Sequence, residues 1–219
     1  MTGINLSKSP NFVNLQKGSQ IALPGSLRVV DLMLGWEPTV TNAGQKVKDK
    51  SFLGLGRLIN AVDNSVNTIT KNVDVDASAL LVNAQGKVVN RVWFRNLSDR
   101  MNNIQHSGDN LTGKGEFPDE TIHLKDLNGI HQDIQEIHFW VNIFSGSQDF
   151  GDIQECIAAV ADMEKREELA RVNLTGQYAG KSSIFLCAIS RAPGGGWIFN
   201  SILEAFNEKR MEDIIHNHY

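Results

Sequence analysis

Asp74-Val75-Asp76 places two carboxylates two residues apart, directly before the apolar run Ala77-Ser78-Ala79-Leu80-Leu81-Val82. In a strand, residues i and i+2 share a face, so both acids emerge side by side. Like charges that close repel unless a cation lies between them. A second group of oxygen donors follows in Ser107-Gly108-Asp109-Asn110-Leu111-Thr112-Gly113-Lys114-Gly115-Glu116-Phe117-Pro118-Asp119-Glu120. Its glycines let backbone carbonyls turn inward. Asp109, Asn110, Thr112, Glu116, Asp119 and Glu120 add side-chain oxygens. Calcium takes about 6–8 oxygen ligands, whereas zinc and copper prefer thiolate and imidazole. Only His106 accompanies this group, and no cysteine does. Two interpretations stand on the spacing: a calcium site that is not an EF-hand, or an acidic solvated loop with turn chemistry.

Other groupings carry less chemistry. Gly54-Leu55-Gly56 lacks the last glycine of a dinucleotide fingerprint, because Ile59 stands there. His216-Asn217-His218 lies at the end of the sequence without the context of a nuclease and is expected to fray. His123 and His138 alternate with apolar residues and are expected on the solvent side of strands. No serine or cysteine nucleophile with a paired base is visible, which places a metal-dependent hydrolase last among the alternatives.

The elements that must position the acids are short and β-rich. Runs at 28–34, 77–82, 87–94, 121–124, 137–144, 156–160, 169–174 and 183–189 are separated by turn signals. That pattern predicts a mainly β, two-sheet sandwich. Asn83-Ala84-Gln85-Gly86 predicts a hairpin, and Gly194-Gly195-Gly196 another turn before Trp197. The repeated Asn-Leu-x-Lys at 5–8 and 14–17 predicts two edge segments joined by a turn at Pro10. Residues 39–71 read as an inserted loop with one possible helix. Ser201-Ile202-Leu203-Glu204 has the form of a capping box, so a C-terminal helix and tail are expected over 201–219. The expected apolar stripe, through Ile202, Phe206, Met211, Ile214 and Ile215, would pack on the protein's own sheet or, in the alternative, form a homodimer contact.

The 219 residues suffice for one domain, 1–219, with its own core. Twenty-one basic and 25 acidic side chains give a net charge of −4, so no global attraction to nucleic acid or anionic membrane is expected. Cys156 and Cys187 read as buried thiols of a reducing compartment. With no signal-like leader or apolar span, the expected location is cytoplasmic, with at most indirect membrane contact.

Several of these segments together resemble the TerD family of tellurium-resistance and stress-response proteins, above all its TerZ-like members. Asp74-Val75-Asp76-Ala77-Ser78-Ala79 looks like that family's DxDAS strand. Val92-Trp93-Phe94-Arg95-Asn96-Leu97 and His106-Ser107-Gly108-Asp109-Asn110-Leu111-Thr112-Gly113 look like its WFR…HSGDNLTG stretch. Leu34-Gly35-Trp36-Glu37-Pro38 is similar to its LGWDP turn, and Gln148-Asp149-Phe150 to its QxF segment. The resemblance implies a β-sandwich with calcium at one end and a role in bacterial tellurite resistance, wider stress responses and phage-defence operons. It also implies a non-enzymatic binding or scaffold module, with other TerD-family or stress-operon proteins as partners. The ligands it implies are Asp74, Asp76, Asp109, Asp119 and Glu120, with Asn110 and Glu116 as further members. The family's acidic loop, GEGDGDDE, is altered here by Lys114, Phe117 and Pro118. Fewer acids and an added lysine lower the expected affinity for a divalent cation. In the alternative, a scaffold that has lost effective calcium binding, the Lys114 ammonium takes the cation's place.

Overall fold

A computed structural model describes residues 5–42, 68–113, 116–144 and 146–219. Among the described residues, thirteen strands form two packed sheets. The first contains β1 (Ser7–Asn14), β11 (Glu167–Asn173), β10 (Ile153–Asp162), β3 (Val30–Asn42), β8 (Glu120–Leu124) and β7 (Ile104–His106), in that spatial order. β4 (Thr68–Lys71) pairs with the far end of β3. The second sheet runs β2 (Gln20–Leu23), β13 (Trp197–Phe206), β12 (Ser183–Arg191), β9 (Glu136–Ile143), β5 (Val75–Val82), β6 (Val88–Val92). Every pairing among the described strands is antiparallel except β1 with β11. The β-sandwich expected from the strand spacing is therefore the observed fold.

Period-two patterning explains which side chains fill the space between the sheets. Val75, Ala77, Ala79 and Leu81 of β5 and Ile137, Phe139, Val141 and Ile143 of β9 all enter the main core. Trp36, Phe150, Trp197 and Phe199 join them, together with the thiols of Cys156 and Cys187. Both cysteines are free; burial pushes the Cys156 thiol up to about 12 and the Cys187 thiol well above its ordinary value. Neither is poised for nucleophilic work.

The alternate residues of β5 and β9 face outward, where α1 (Met211–His218) covers them. Leu80, Trp93 and Trp140 pack against Met211 and Ile214 in a second apolar cluster. A directed chain of hydrogen bonds seals it. Trp140 Nε1 donates to the Tyr219 hydroxyl at 3.0 Å, and that hydroxyl lies 2.6 Å from His138 Nδ1. His138 Nε2 meets the Glu136 carboxylate. One assignment satisfies every member: Tyr219 donates to Nδ1 and Nε2–H donates to Glu136. Burial lowers the His138 pKa, in keeping with that neutral imidazole. Tyr219→Phe leaves both ring partners unsatisfied and is expected to cost about 1–3 kcal/mol. Thermal melting of that variant checks the figure.

Several expectations need correction. Ser201–Phe206 is not helical: it completes β13, in register with β12 through Cys187–Ser201 and Phe185–Glu204. Strand pairing outweighs the local capping pattern there, and the extra residue between those two pairs is taken up by a bulge with Leu203 at φ +51°. Helix begins only at Met211, with Arg210 bonded to Asp213 across its first turn. The stripe through Met211 and Ile214 does pack on the protein's own sheet, as expected.

Pro10 lies inside β1 rather than in a turn, between pairs whose register shifts from Lys8 to Val13. Leu34–Pro38 is strand rather than turn. His138 is buried beneath α1 rather than solvent-facing. His216–His218 belong to α1 instead of fraying: Asn217 Nδ2 donates to Glu208 at 3.0 Å and the His218 ring packs on Phe206. Of the expected insertion at 39–71, Thr39–Asn42 and Thr68–Lys71 form the β3–β4 pair. Its helix, and Gly54-Leu55-Gly56, lie outside the described residues.

Candidate metal centre

Trp36 organises the end of the sandwich where the acids meet. Its indole Nε1 donates to Val73 O at 2.8 Å, which fixes the chain one residue before Asp74. Its backbone N–H donates to Asp119 Oδ2 at 2.9 Å. Gln148 Nε2 donates to Asn72 O at 2.8 Å and steadies the same approach from the other side. The chain thus enters β5 with Asp74 and Asp76 on one face.

Glu120 ties the two sheets together at this point. It begins β8 in one sheet, opposite Leu34, and is fully buried. β6 ends at Val92, opposite Ala79, so the Ala77 N–H beyond it has no ladder partner on that edge. Glu120 Oε2 accepts from that N–H at 2.7 Å, and Oε1 accepts from Asn110 N at 3.1 Å. His106 Nδ1 accepts from Gly108 N at 3.0 Å, so Nε2 carries hydrogen. That Nε2 lies 3.3 Å from Glu120 Oε2, close enough for electrostatic attraction though not aligned as a hydrogen bond.

The loop from 107 to 113 closes on itself through Asn110. Its Oδ1 accepts from Thr112 N and Gly113 N at 3.1 and 3.2 Å, an Asx-type turn. Its Nδ2 donates to Asp119 Oδ1 at 2.8 Å. Gly113 sits at φ +60° against Trp36, and a Cβ there would come within 2.5 Å of the Trp36 carbonyl oxygen. Gly113→Ala therefore combines backbone strain with a collision against main chain. A loss of about 2–4 kcal/mol is expected, read as a lower denaturant midpoint with unchanged m-value.

These contacts bring three carboxylates to one point. Asp74, Asp76 and Asp109 each offer an oxygen, and the three oxygens lie within 4.8 Å of one another. Asp76 is buried, Asp74 half-buried and Asp109 exposed, so the group opens to solvent on one side. Asp74 Oδ1 and Asp76 Oδ2 are buried without a hydrogen-bond partner among the described residues. Burial, then the Asp109 and Glu120 charges, raises the Asp74 pKa to about 6. Burial, then Glu120, Asp74 and Asp109, raises Asp76 to about 8, against a pull downward from Arg95. Burial also raises Asp119 to about 6, although the Trp36 N–H and the Asn110 amide pull it down. Orphaned oxygens and mutual repulsion are what a bound cation relieves, and this donor set is all oxygen. The three aspartates could hold a metal ion.

The remaining expected ligands divide by role. Asn110, Asp119 and Glu120 spend their described oxygens on hydrogen bonds that shape the loop and join the sheets. Glu116 is exposed and outside the aspartate group. Lys114 lies outside the described residues. Arg95 was not foreseen from spacing. Its guanidinium lies 5.2 Å from the Phe94 and Phe144 ring centroids, and among the described residues it is the cation that acts on Asp76.

The sequence matches the model of the TerD domain over residues 12–218. The chain belongs to the TerD family. It is 36% identical over 212 residues to stress response protein SCP2 of Bacillus subtilis, covering 93% of this chain and 97% of that one. Tellurium resistance protein TerZ of Serratia marcescens is 31% identical, with 93% and 95% covered. The solved structure of a homologue of the telluride resistance protein TerD from Streptomyces coelicolor superposes with a TM-score of 0.62 at 20% identity, covering 84% of this chain and 92% of that one. The resemblance seen in the motifs is thus established, and the TerD sandwich accounts for them physically. The Leu34–Pro38 segment supplies Trp36, the Gln148 segment holds Asn72, and the 106–113 stretch carries Asp109 to the strand end. Among the described residues of this TerD-family chain, no helix is long and apolar enough to cross a membrane.

Proposed function

We propose that this TerD-family chain is a calcium-binding, non-enzymatic module of the bacterial stress response, associated with tellurite resistance and working in the cytoplasm. The observation that carries the reading is the convergence of Asp74, Asp76 and Asp109 at the start of β5, two of them with buried oxygens that have no hydrogen-bond partner among the described residues. Calcium accepts such a site because it tolerates irregular geometry and completes its shell with carbonyls and water. Binding there neutralises the aspartates and fixes the 107–113 loop to β5, which orders an exposed surface containing Leu97 and Leu111. That ordered surface is the part that would meet other TerD-family or stress-operon proteins. A binding role rather than catalysis is supported by how the nearby candidate groups are used. Both cysteines are buried, and His106, His123 and His138 each contact a carboxylate in the fold.

Calcium titration by calorimetry on chelator-stripped protein tests the reading, with a melting curve at each end. Saturable heat is expected. At calcium about 100-fold above Kd, native-state binding adds about 2.7 kcal/mol. For a domain of this size that raises the melting temperature by about 5–10 °C. Asp109→Ala is expected to lose most of that rise. No heat and no shift would leave a TerD scaffold without effective calcium binding. Turnover of generic phosphoesters or esters that is lost in Asp74→Ala would replace the binding role with a hydrolytic one.

A further inference from the structure

The aspartate group continues inward along a row of polar residues. Asp76 of β5 lies opposite Asn142 of β9, and Asn142 lies opposite Ser183 of β12. The parity of each strand puts all three on the outward face of the second sheet, with Ser78 beside Asp76. Asp76 and Asn142 are 2% exposed, Ser78 1% and Ser183 0%. Among the described residues, Asp76 Oδ2, Ser78 Oγ, Asn142 Oδ1 and Ser183 Oγ all lack a hydrogen-bond partner. A buried polar oxygen without a partner is costly, and four grouped on one sheet face mark a site built for something that supplies positive charge or hydrogen. Directly opposed residues have Cβ atoms about 5 Å apart, so a group bound to Asp76 is within reach of the Asn142 amide.

The other half of that amide is committed. Asn142 Nδ2 donates to Lys209 O at 3.2 Å, in the segment between β13 and α1. Lys209 also holds the segment that follows β9: its Nζ donates to Gly146 O and Gln148 O, both at 2.7 Å. Gln148 in turn holds Asn72, two residues before Asp74. The Nδ2 bond fixes which way the amide points, so Oδ1 is the atom left for the site.

We infer that Asn142 is a further, inner ligand of the cation bound by Asp74, Asp76 and Asp109, and that its amide links cation binding to the docking of the 207–218 segment. This rests on the calcium reading above. The cation orders Oδ1, the amide plane holds Nδ2 on Lys209 O, and the C-terminal segment is clamped over the outward face.

Asn142→Leu keeps the volume and removes the oxygen. By calorimetry it is expected to bind calcium at least about tenfold more weakly than the unaltered protein. An affinity within twofold of the unaltered protein, in a variant that melts cooperatively in chelator, would overturn the assignment and leave water as the occupant. Asn142→Asp keeps an oxygen but loses the donor, so it serves if the leucine variant does not fold. It is expected to bind calcium at least as tightly as the unaltered protein; weaker binding would overturn the proposal. Amide hydrogen exchange supplies the second readout. Calcium is expected to slow exchange at 207–218 in the unaltered protein and not in Asn142→Asp. Equal exchange with and without calcium in the unaltered protein would remove the link to the C-terminal segment. Absence of any calcium heat in the unaltered protein would instead remove the cation reading itself, and this inference with it.

Discussion

Glu120→Ala is expected to lower stability by about 3–5 kcal/mol, the range for removing one partner from a buried, charged network. The cost has identifiable parts. The Ala77 and Asn110 N–H groups lose the acceptor they share, at 2.7 and 3.1 Å, in a place where the residue is fully buried. Each orphaned donor costs about 1–3 kcal/mol. His106 Nε2, 3.3 Å away, loses its facing carboxylate as well. One effect opposes these: the Glu120 charge repels Asp74 and Asp76, so removing it relieves both. That relief is shared with solvent at half-buried Asp74, and it does not replace the missing acceptors. For a chain of this size the net loss lowers the melting temperature by about 6–20 °C. Glu120→Gln retains one acceptor oxygen and is expected to fall between. Calcium affinity should drop in Glu120→Ala even though no aspartate has changed, because Asn110 no longer anchors the loop that carries Asp109. A melting temperature within about 2 °C of the unaltered protein would show that Glu120 does not hold the two sheets together.

That role was only half legible in the sequence. Asp74, Asp76 and Asp109 were visible because carboxylates at i and i+2 before an apolar strand must share a face, and a Gly-rich acidic loop must fold back on something. Spacing could not say which of the later acids would join them. Asp119 and Glu120 are adjacent and alike in charge, yet both are consumed by other donors: Glu120 by the Ala77 and Asn110 N–H groups, Asp119 by the Trp36 N–H and the Asn110 side-chain amide. Where a carboxylate meets a backbone donor depends on strand register across two sheets, and register is a long-range property. Asn142 was hidden for the same reason. Within Ile137–Phe144 it is one polar residue on an outward-facing parity, and its partners, Asp76 and Lys209, are 66 and 67 residues away. The strands were legible from period-two patterning, and the hairpin at 83–86 from its turn residues. Ser201–Glu204 misled because a capping box is a local signal, while β12 supplies a neighbour that satisfies the same backbone groups at longer range. His138 misled because alternation locates a face and does not reveal that α1 covers it.

The charge state of Asp76 sets the second large effect. In calcium-free protein its pKa is about 8, against an ordinary value of 3.8, through burial and then the Glu120, Asp74 and Asp109 charges. The folded state therefore holds a proton that the unfolded chain has released. Asp76 contributes stability in full below about pH 4, and that contribution is lost as pH rises through about 8. Asp74, raised to about 6, adds to the same slope over the lower part of the window. Calcium reverses the logic: the cation replaces the proton, so its apparent affinity rises over the range in which the proton leaves. Asp76→Asn separates the two states. In chelator at pH 8 the variant is expected to melt at least about 5 °C above the unaltered protein, because a buried charge among like charges has become a neutral amide. At pH 5 the unaltered side chain is itself protonated, and the gain should shrink. In saturating calcium the order should invert, since the variant lacks the buried carboxylate that the cation requires and gains little from it. A ligand that stabilises the metal-bound fold while destabilising the metal-free one is the signature of a site shaped by its cation; a structural acid would show the variant destabilised in both conditions. Melting curves of the two proteins at pH 5 and 8, with chelator and with calcium, decide between those outcomes.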